Sequence, residues 1–325
     1  MKKTVLLLLV LLLSLSFGFA RANTEKHSDE KIRIALIGES TVDDGQWFES
    51  MYSALLQVQQ RRGDIIVSLS EKQNPVAAGT SIMQFIAQGY DIIIAHGAQY
   101  ANIVKDLAPN YPSVIFAYGT GEDTSIPNVF TYTPKSEETG YLNGIAAGLG
   151  TKTNVIGLIG SVDGGDAARY DRGFVLGVRS VNPKADVRIV HTGTFTDYIR
   201  SSQMAHLYVR TTGADMLSGS SQQAKGALRA IEDYPGEDIF WLGVDPNSPK
   251  VLAAQAYNWV PMIDSLLENK SNGIRGGVNL SLSFENGGFF YTIVTDQPEI
   301  RDALNKAKGE LERGTLSIDW KSVKL

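Results

Sequence analysis

KIRIALIGESTVDDGQWFESMYSALLQV, residues Lys31 to Val58, is the stretch whose reading decides the fold. Lys31 to Ile37 alternates charge with Ile and Leu before closing on an apolar run, and Gly38 to Asp44 carries turn chemistry. From Gln46 onward, Phe48, Met51, Leu55 and Val58 fall at helical spacing. Strand, loop and helix therefore follow one another. In a parallel α/β sheet such a loop lies at the carboxyl end of the first strand, where the ligand crevice forms. This one holds Asp43, Asp44, Gln46 and Trp47. Either carboxylate alone reads equally well as a helix cap, but four ligand-type side chains in five residues point to a binding loop.

The alternation continues outward. Strands are expected at 64–69, 91–95, 113–118 and 129–132, with helices at 76–88 and 103–107 between them. A second series repeats the pattern, with strands at 154–159, 186–191, 214–218 and 239–244, a loop and helix over 164–181, and helices at 204–211 and 222–232. Two similar α/β lobes follow, each with a parallel sheet buried on both faces. Residues 136–149 (SEETGYLNGIAAGL) begin as a capping pattern and become a helix on which Gly140, Gly144, Ala147 and Gly148 leave one face nearly bare for close packing. Residues 251–268 read as a helix interrupted or kinked near Pro261, 278–284 and 289–294 as a hairpin across Asn286-Gly287-Gly288, and 299–313 as a final amphipathic helix. The expected allotment is 31–133 with 247–276 to the first lobe and 134–246 with 277–325 to the second.

Composition bounds the function. A chain of 325 residues, 43% hydrophobic, can bury a large core in about two domains. Residues 1–22 read as a secretory signal: Lys2 and Lys3 precede an apolar run too short for a membrane span, and Ala20-Arg21-Ala22 is a small-x-small cleavage site. The chain has no cysteine, whereas a bacterial lipoprotein needs one at the cleavage point, so a periplasmic protein free of lipid and of disulfides is expected. Without Lys2, Lys3 and Arg21, 27 basic residues face 35 acidic ones, a net charge of −8. An acidic chain lacking a basic run argues against a nucleic-acid partner.

No catalytic constellation emerges, and no enzyme is expected. None of His27, His96, His191 and His206 sits in a metal-binding pattern, so neither a metal nor a cofactor is expected. His96 stands apart because it ends a strand at the crevice. Gly160 to Gly165 follows a strand and opens a helix, yet has neither dinucleotide nor P-loop spacing, and Ser161 lacks the context of a hydrolase elbow. The strand ends together are more informative: Asp43, Asp44, Gln46 and Trp47, then Gln99 and Tyr100, Phe195 and Asp197, Ser220 to Gln223, and Asp245. Carboxylates and amides bond hydroxyls or ring nitrogens and aromatics offer flat faces, so the set suits a planar or sugar-like polar small molecule.

Four segments carry a family resemblance. VDDGQWFESMYSAL resembles an opening loop in which an Asp-Asp pair precedes a small residue, an aromatic and a helix; SEETGYLNGIAAGL resembles a Glu-x-x-Gly-Tyr-Leu-x-Gly-x-x-Ala helix. RGFVLGVRSVNP resembles a Phe-x-x-Gly-Phe-x-x-Gly-x-x-x-x-Asn-Pro segment, and WLGVDPN a Gly-x-Asp strand end. In this order they resemble the basic membrane protein family, the PnrA-like nucleoside receptors of ABC importers. The resemblance implies a type I periplasmic binding-protein fold, two Rossmann-like lobes joined by three crossovers with the ligand between them. It further implies that Asp43 or Asp44 and Gln46 touch the ligand, that Trp47 and Phe195 flank a ring, and that Asp245 takes hydroxyls. Two positions depart from the family: HGAQY, with Gln99 and Tyr100, stands where a Phe-x-Asp is usual, and Tyr257 falls about where a lysine does. The expected function is capture of a nucleoside, a purine or pyrimidine base, or another polar ring by a monomer that delivers it to a membrane permease. A sensor feeding a membrane kinase or chemoreceptor, or a receptor for a sugar-like solute, is the alternative. An enzyme such as a nucleoside hydrolase would want a metal or a close acid–base pair, and a transcriptional regulator would carry a DNA-binding helix pair where the signal stands.

Overall fold

The computed structural model describes residues 31–236 and 238–325; the signal sequence read at 1–22 lies outside them. The first series of elements is β1 (Ile32–Ile37), α1 (Trp47–Arg62), β2 (Ile65–Ser70), α2 (Pro75–Ala87), β3 (Ile92–Ala95), α3 (Ala101–Leu107), β4 (Ile115–Gly119) and β5 (Val129–Pro134). The second is α4 (Ser136–Gly150), β6 (Val155–Gly160), α5 (Gly165–Val181), β7 (Asp186–His191), α6 (Tyr198–Leu207), β8 (Met216–Gly219), α7 (Ala224–Glu232), β9 (Phe240–Gly243) and β10 (Val251–Tyr257). The chain ends with α8 (Val260–Ser271), β11 (Val278–Leu282), β12 (Phe289–Ile293) and α9 (Pro298–Glu312).

Two six-stranded sheets result, ordered β11-β5-β4-β3-β1-β2 and β12-β10-β9-β8-β6-β7. Among the described residues every strand pairing is parallel except β10 with β12. Strands such as IRIALI and IIIA bury side chains on both faces, as a sheet covered by helices on each side requires. The α/β fold of two Rossmann-like lobes is thus the one expected. The bare glycine face also packs as expected: Gly144 lies so close to the backbone of α5 that an added Cβ would stand 2.1 Å from the Phe174 carbonyl oxygen.

Three readings near the carboxyl end are corrected. Residues 251–257 are not helical: they form β10, inserted between β9 and β12 in the second sheet. Pro261 starts α8 rather than kinking a longer helix, since its missing N–H costs nothing in a first turn. The hairpin read at 278–294 does not exist, because β11 joins the first sheet beside β5 and β12 the second beside β10. The Asn286-Gly287-Gly288 turn is real, with Gly287 at φ 72°, but its flanks diverge. The allotment of residues therefore changes: 251–257 lies in the second sheet and 278–282 in the first. Three passages between the lobes remain, after β5, after β10 and after β11.

A candidate ligand site between the lobes

The carboxyl ends of the two sheets face each other, and the loop before α1 forms one wall. Asp44 builds that wall. Its Oδ1 accepts the backbone N–H of Gln46 (2.9 Å) and Glu49 (3.2 Å), and its Oδ2 that of Phe48 (3.1 Å), so one carboxylate covers the amides of the first turn. The opposite lobe uses the same residue: Gln222 Nε2 donates to Asp44 Oδ2 (3.3 Å) and Lys225 Nζ to the Asp44 carbonyl (3.0 Å).

Trp47 is fixed by a reciprocal pair of bonds. Its Nε1 donates to the His96 carbonyl (3.1 Å), and His96 Nε2 lies 3.0 Å from the Trp47 carbonyl. A carbonyl only accepts, so the imidazole proton sits on Nε2 and Nδ1 accepts from the Tyr132 hydroxyl at 2.6 Å. The two rings stack with centroids 4.4 Å apart and planes 13° from parallel. Burial pushes the His96 pKa down to about 3, so the imidazole is neutral at physiological pH. The indole also meets the rings of Tyr257 and Trp259 edge-on, at 5.1 and 5.0 Å.

Among the described residues, two adjoining cavities lie between the lobes. One, of about 460 Å³, is bordered by Glu49, Ser50, Tyr170, Ser220, Lys225 and Asp245. The other, of about 340 Å³, is bordered by Trp47, His96, Gln99, Thr120, Phe195 and Thr196. Gln46, Asp166, Ser221 and Tyr257 border both. Asp166 stands in the first turn of α5, the Tyr257 hydroxyl donates to its Oδ2 at 3.1 Å, and burial raises its pKa.

Ten of the residues singled out in the sequence come together here: Gln46, Trp47, His96, Gln99, Phe195, Ser220, Ser221, Gln222, Asp245 and Tyr257. Asp43, Asp44, Tyr100, Asp197 and Gln223 do not line the cavities. Asp43 is exposed outside them, and Asp44 is spent on the helix start and the opposite lobe. Tyr100 ends a short 3₁₀ turn, Ala98–Tyr100, that sends it into the core, where its hydroxyl donates to the Gln73 carbonyl at 2.5 Å, while Gln99 faces the cavity. Asp166, Lys225 and Glu49 were missed. Asp166 had a visible signal: it follows β6 and opens a helix, the place in the second lobe that Asp44 to Trp47 occupy in the first.

A family model described as "ABC transporter substrate-binding protein PnrA-like" matches residues 31–255. The ABC transporter nucleoside-binding protein BmpA of Lactococcus lactis is 26% identical over 255 residues, 72% of each chain. A purine-binding protein of Brucella abortus is 24% identical over 59% of this chain and 55% of its own length, and the chain spans about half the length of several curated relatives it matches. Among solved structures, an ABC transporter solute-binding protein from Aeropyrum pernix superposes with a TM-score of 0.75 at 15% identity, covering 89% of this chain and 95% of that one.

Proposed function

The chain belongs to the PnrA-like family of ABC transporter substrate-binding proteins, and from that premise we propose that it captures a small polar solute containing a ring, a nucleoside or a purine or pyrimidine base, and hands it to a membrane permease from the periplasmic side. The observation that carries the reading is the pair of adjoining cavities between the lobes, which share Gln46, Asp166, Ser221 and Tyr257. An aromatic from each lobe, Trp47 and Phe195, borders one of them, and hydrogen-bonding groups from both lobes border the other. A ring placed between such faces buries its apolar surface while its edge meets Gln46, Asp166, Ser221 and Gln99. The relatives named for nucleoside and purine binding support this ligand class. No covalent step is needed. A solute held by both lobes stabilises the closed form, and the permease would read that closure.

The reading assigns contact with the solute to Gln46, Trp47, Gln99, Phe195, Ser220, Asp245 and Tyr257, with Asp166 added. Calorimetry and thermal shift of the purified protein against nucleosides, bases, sugars and amino acids test it. A rise in melting temperature confined to ring-containing polar solutes, with a smaller radius of gyration on binding, is the expected result. No response to any of them, or a response to acyclic amino acids alone, overturns it.

A further inference from the structure

The charges bordering the two cavities do not balance. Among the described residues, Glu39, Glu49, Asp166 and Asp245 border them. The cation among the lining residues is Lys225, whose ammonium is turned to the Asp44 carbonyl at 3.0 Å. His96 is neutral. The innermost carboxylate, Asp166, lies where the cavities join, and the donors it receives are the neutral Tyr257 hydroxyl and the backbone amides of Asp166 and Ala167. Arg169, one turn along α5, acts on Asp166 through space, but it is held bidentately by Glu137 at 2.5 Å and lies 3.6 Å from Glu122, so two other carboxylates share its charge. A carboxylate taken from water without a cation in direct contact is costly, and a cation arriving with the ligand relieves that cost. Beside it are the rings of Trp47, Phe195 and Tyr257, whose faces attract positive charge.

We infer that the cleft selects a ring that carries a positive charge, a quaternised or protonated nitrogen heterocycle, with its charge toward Asp166 and its ring between Trp47 and Phe195. This rests on the cleft being a solute site, as proposed above, and narrows the class of solute. Hydroxyl-rich neutral solutes could also bond carboxylates, but they would leave the charge unanswered; anions such as nucleotides would add to it.

Calorimetry on matched pairs tests the inference: 1-methyladenosine against adenosine, 3-methylcytidine against cytidine, and 1-methylnicotinamide against nicotinamide, with AMP as an anion. In at least one pair the cation should bind about tenfold tighter than its neutral partner. D166N should bring that ratio close to one, with the affinity of the neutral partner changing less than that of the cation. Equal or weaker binding of the cation in all three pairs overturns the inference, as does a preference that D166N leaves intact. If neutral rings bind without a preference, the solute reading stands and only the inference falls; if no ring of either kind binds, both fall. The wild-type comparison decides the question even where the variant fails to fold.

Discussion

Trp47 and its neighbours show how little of a residue's role follows from its type. The indole is held by a backbone carbonyl on one side and stacked on a neutral imidazole, so it meets a ligand already oriented. Stacking of a planar solute on such a ring contributes about 1–3 kcal/mol, and Trp47→Ala should weaken binding of a ring-containing solute by roughly ten- to a hundredfold in calorimetry. Asp43→Ala, four residues earlier, should leave the affinity within about twofold, because that side chain lies outside the cavities. His96 carries a pH prediction. Its ordinary pKa is 6.5 and burial holds it near 3 in the folded chain, so between those values the unfolded chain binds a proton that the folded one refuses. Its contribution is full above pH 6.5 and is lost as the pH falls toward 3. His96→Gln should be less stable than wild type at pH 7, with the gap narrowing by pH 4.5 in urea unfolding; a gap that stays constant would contradict the assignment.

At the scale of elements, the crossover after β5 contains a group of opposite slope. Glu138, near the start of α4, accepts the backbone N–H of Phe284 at 2.8 Å, joining two of the three passages between the lobes. Burial is the main cause that pushes its pKa up to about 7 from an ordinary 4.5. The folded chain therefore keeps a proton that the unfolded chain has lost between those values, and stability falls as the pH rises through that window. Glu138→Gln keeps an oxygen for the Phe284 amide and cannot ionise. Its melting temperature relative to wild type should climb from pH 4.5 to 7.5; parallel curves would show that the carboxyl does not titrate there. The sequence reveals α4 because its Gly140 and Gly144 fall on one helical face, and it reveals β1, β3 and β6 because a strand buried on both faces must be apolar throughout. It hides β10. Val251 to Tyr257 (VLAAQAY) is built from Leu, Ala and Gln, good helix formers, and only the neighbours β9 and β12, one of them about 35 residues further on, make it a strand. The same long-range pairing hid the divergence of β11 from β12. The cleft was legible where a strand end carried an aromatic or an amide. Asp166 escaped because it sits in a loop that resembles a phosphate cradle without its spacing, and Asp44 was legible only as one of a pair, since which carboxylate turns inward depends on the first turn of α1.

At the scale of the whole molecule, three polar contacts among the described residues join the two lobes. Lys225 Nζ reaches the Asp44 carbonyl, Gln222 Nε2 reaches its carboxylate, and Arg169 faces Glu122 across the cleft at 3.6 Å. A contact that is made between the lobes and lost when they part shifts the opening equilibrium by its own net strength, about 1.5–3 kcal/mol for the Lys225 ammonium and less for the pair that Arg169 makes with the solvent-exposed Glu122. A contact that favours the closed form lowers the work a ligand must do to close the lobes, and apparent affinity rises with the fraction already closed. Lys225→Met removes the ammonium and keeps most of the chain's bulk. The ligand-free variant should scatter with a larger radius of gyration than the ligand-free wild type, and the solute should dissociate about ten times faster. Because Lys225 also borders a cavity, the faster dissociation alone would not separate a latch from a ligand contact. The free-state scattering does separate them: a lost ligand contact leaves the unliganded shape unchanged, whereas a lost latch opens it, and identical free-state curves would rule the latch out.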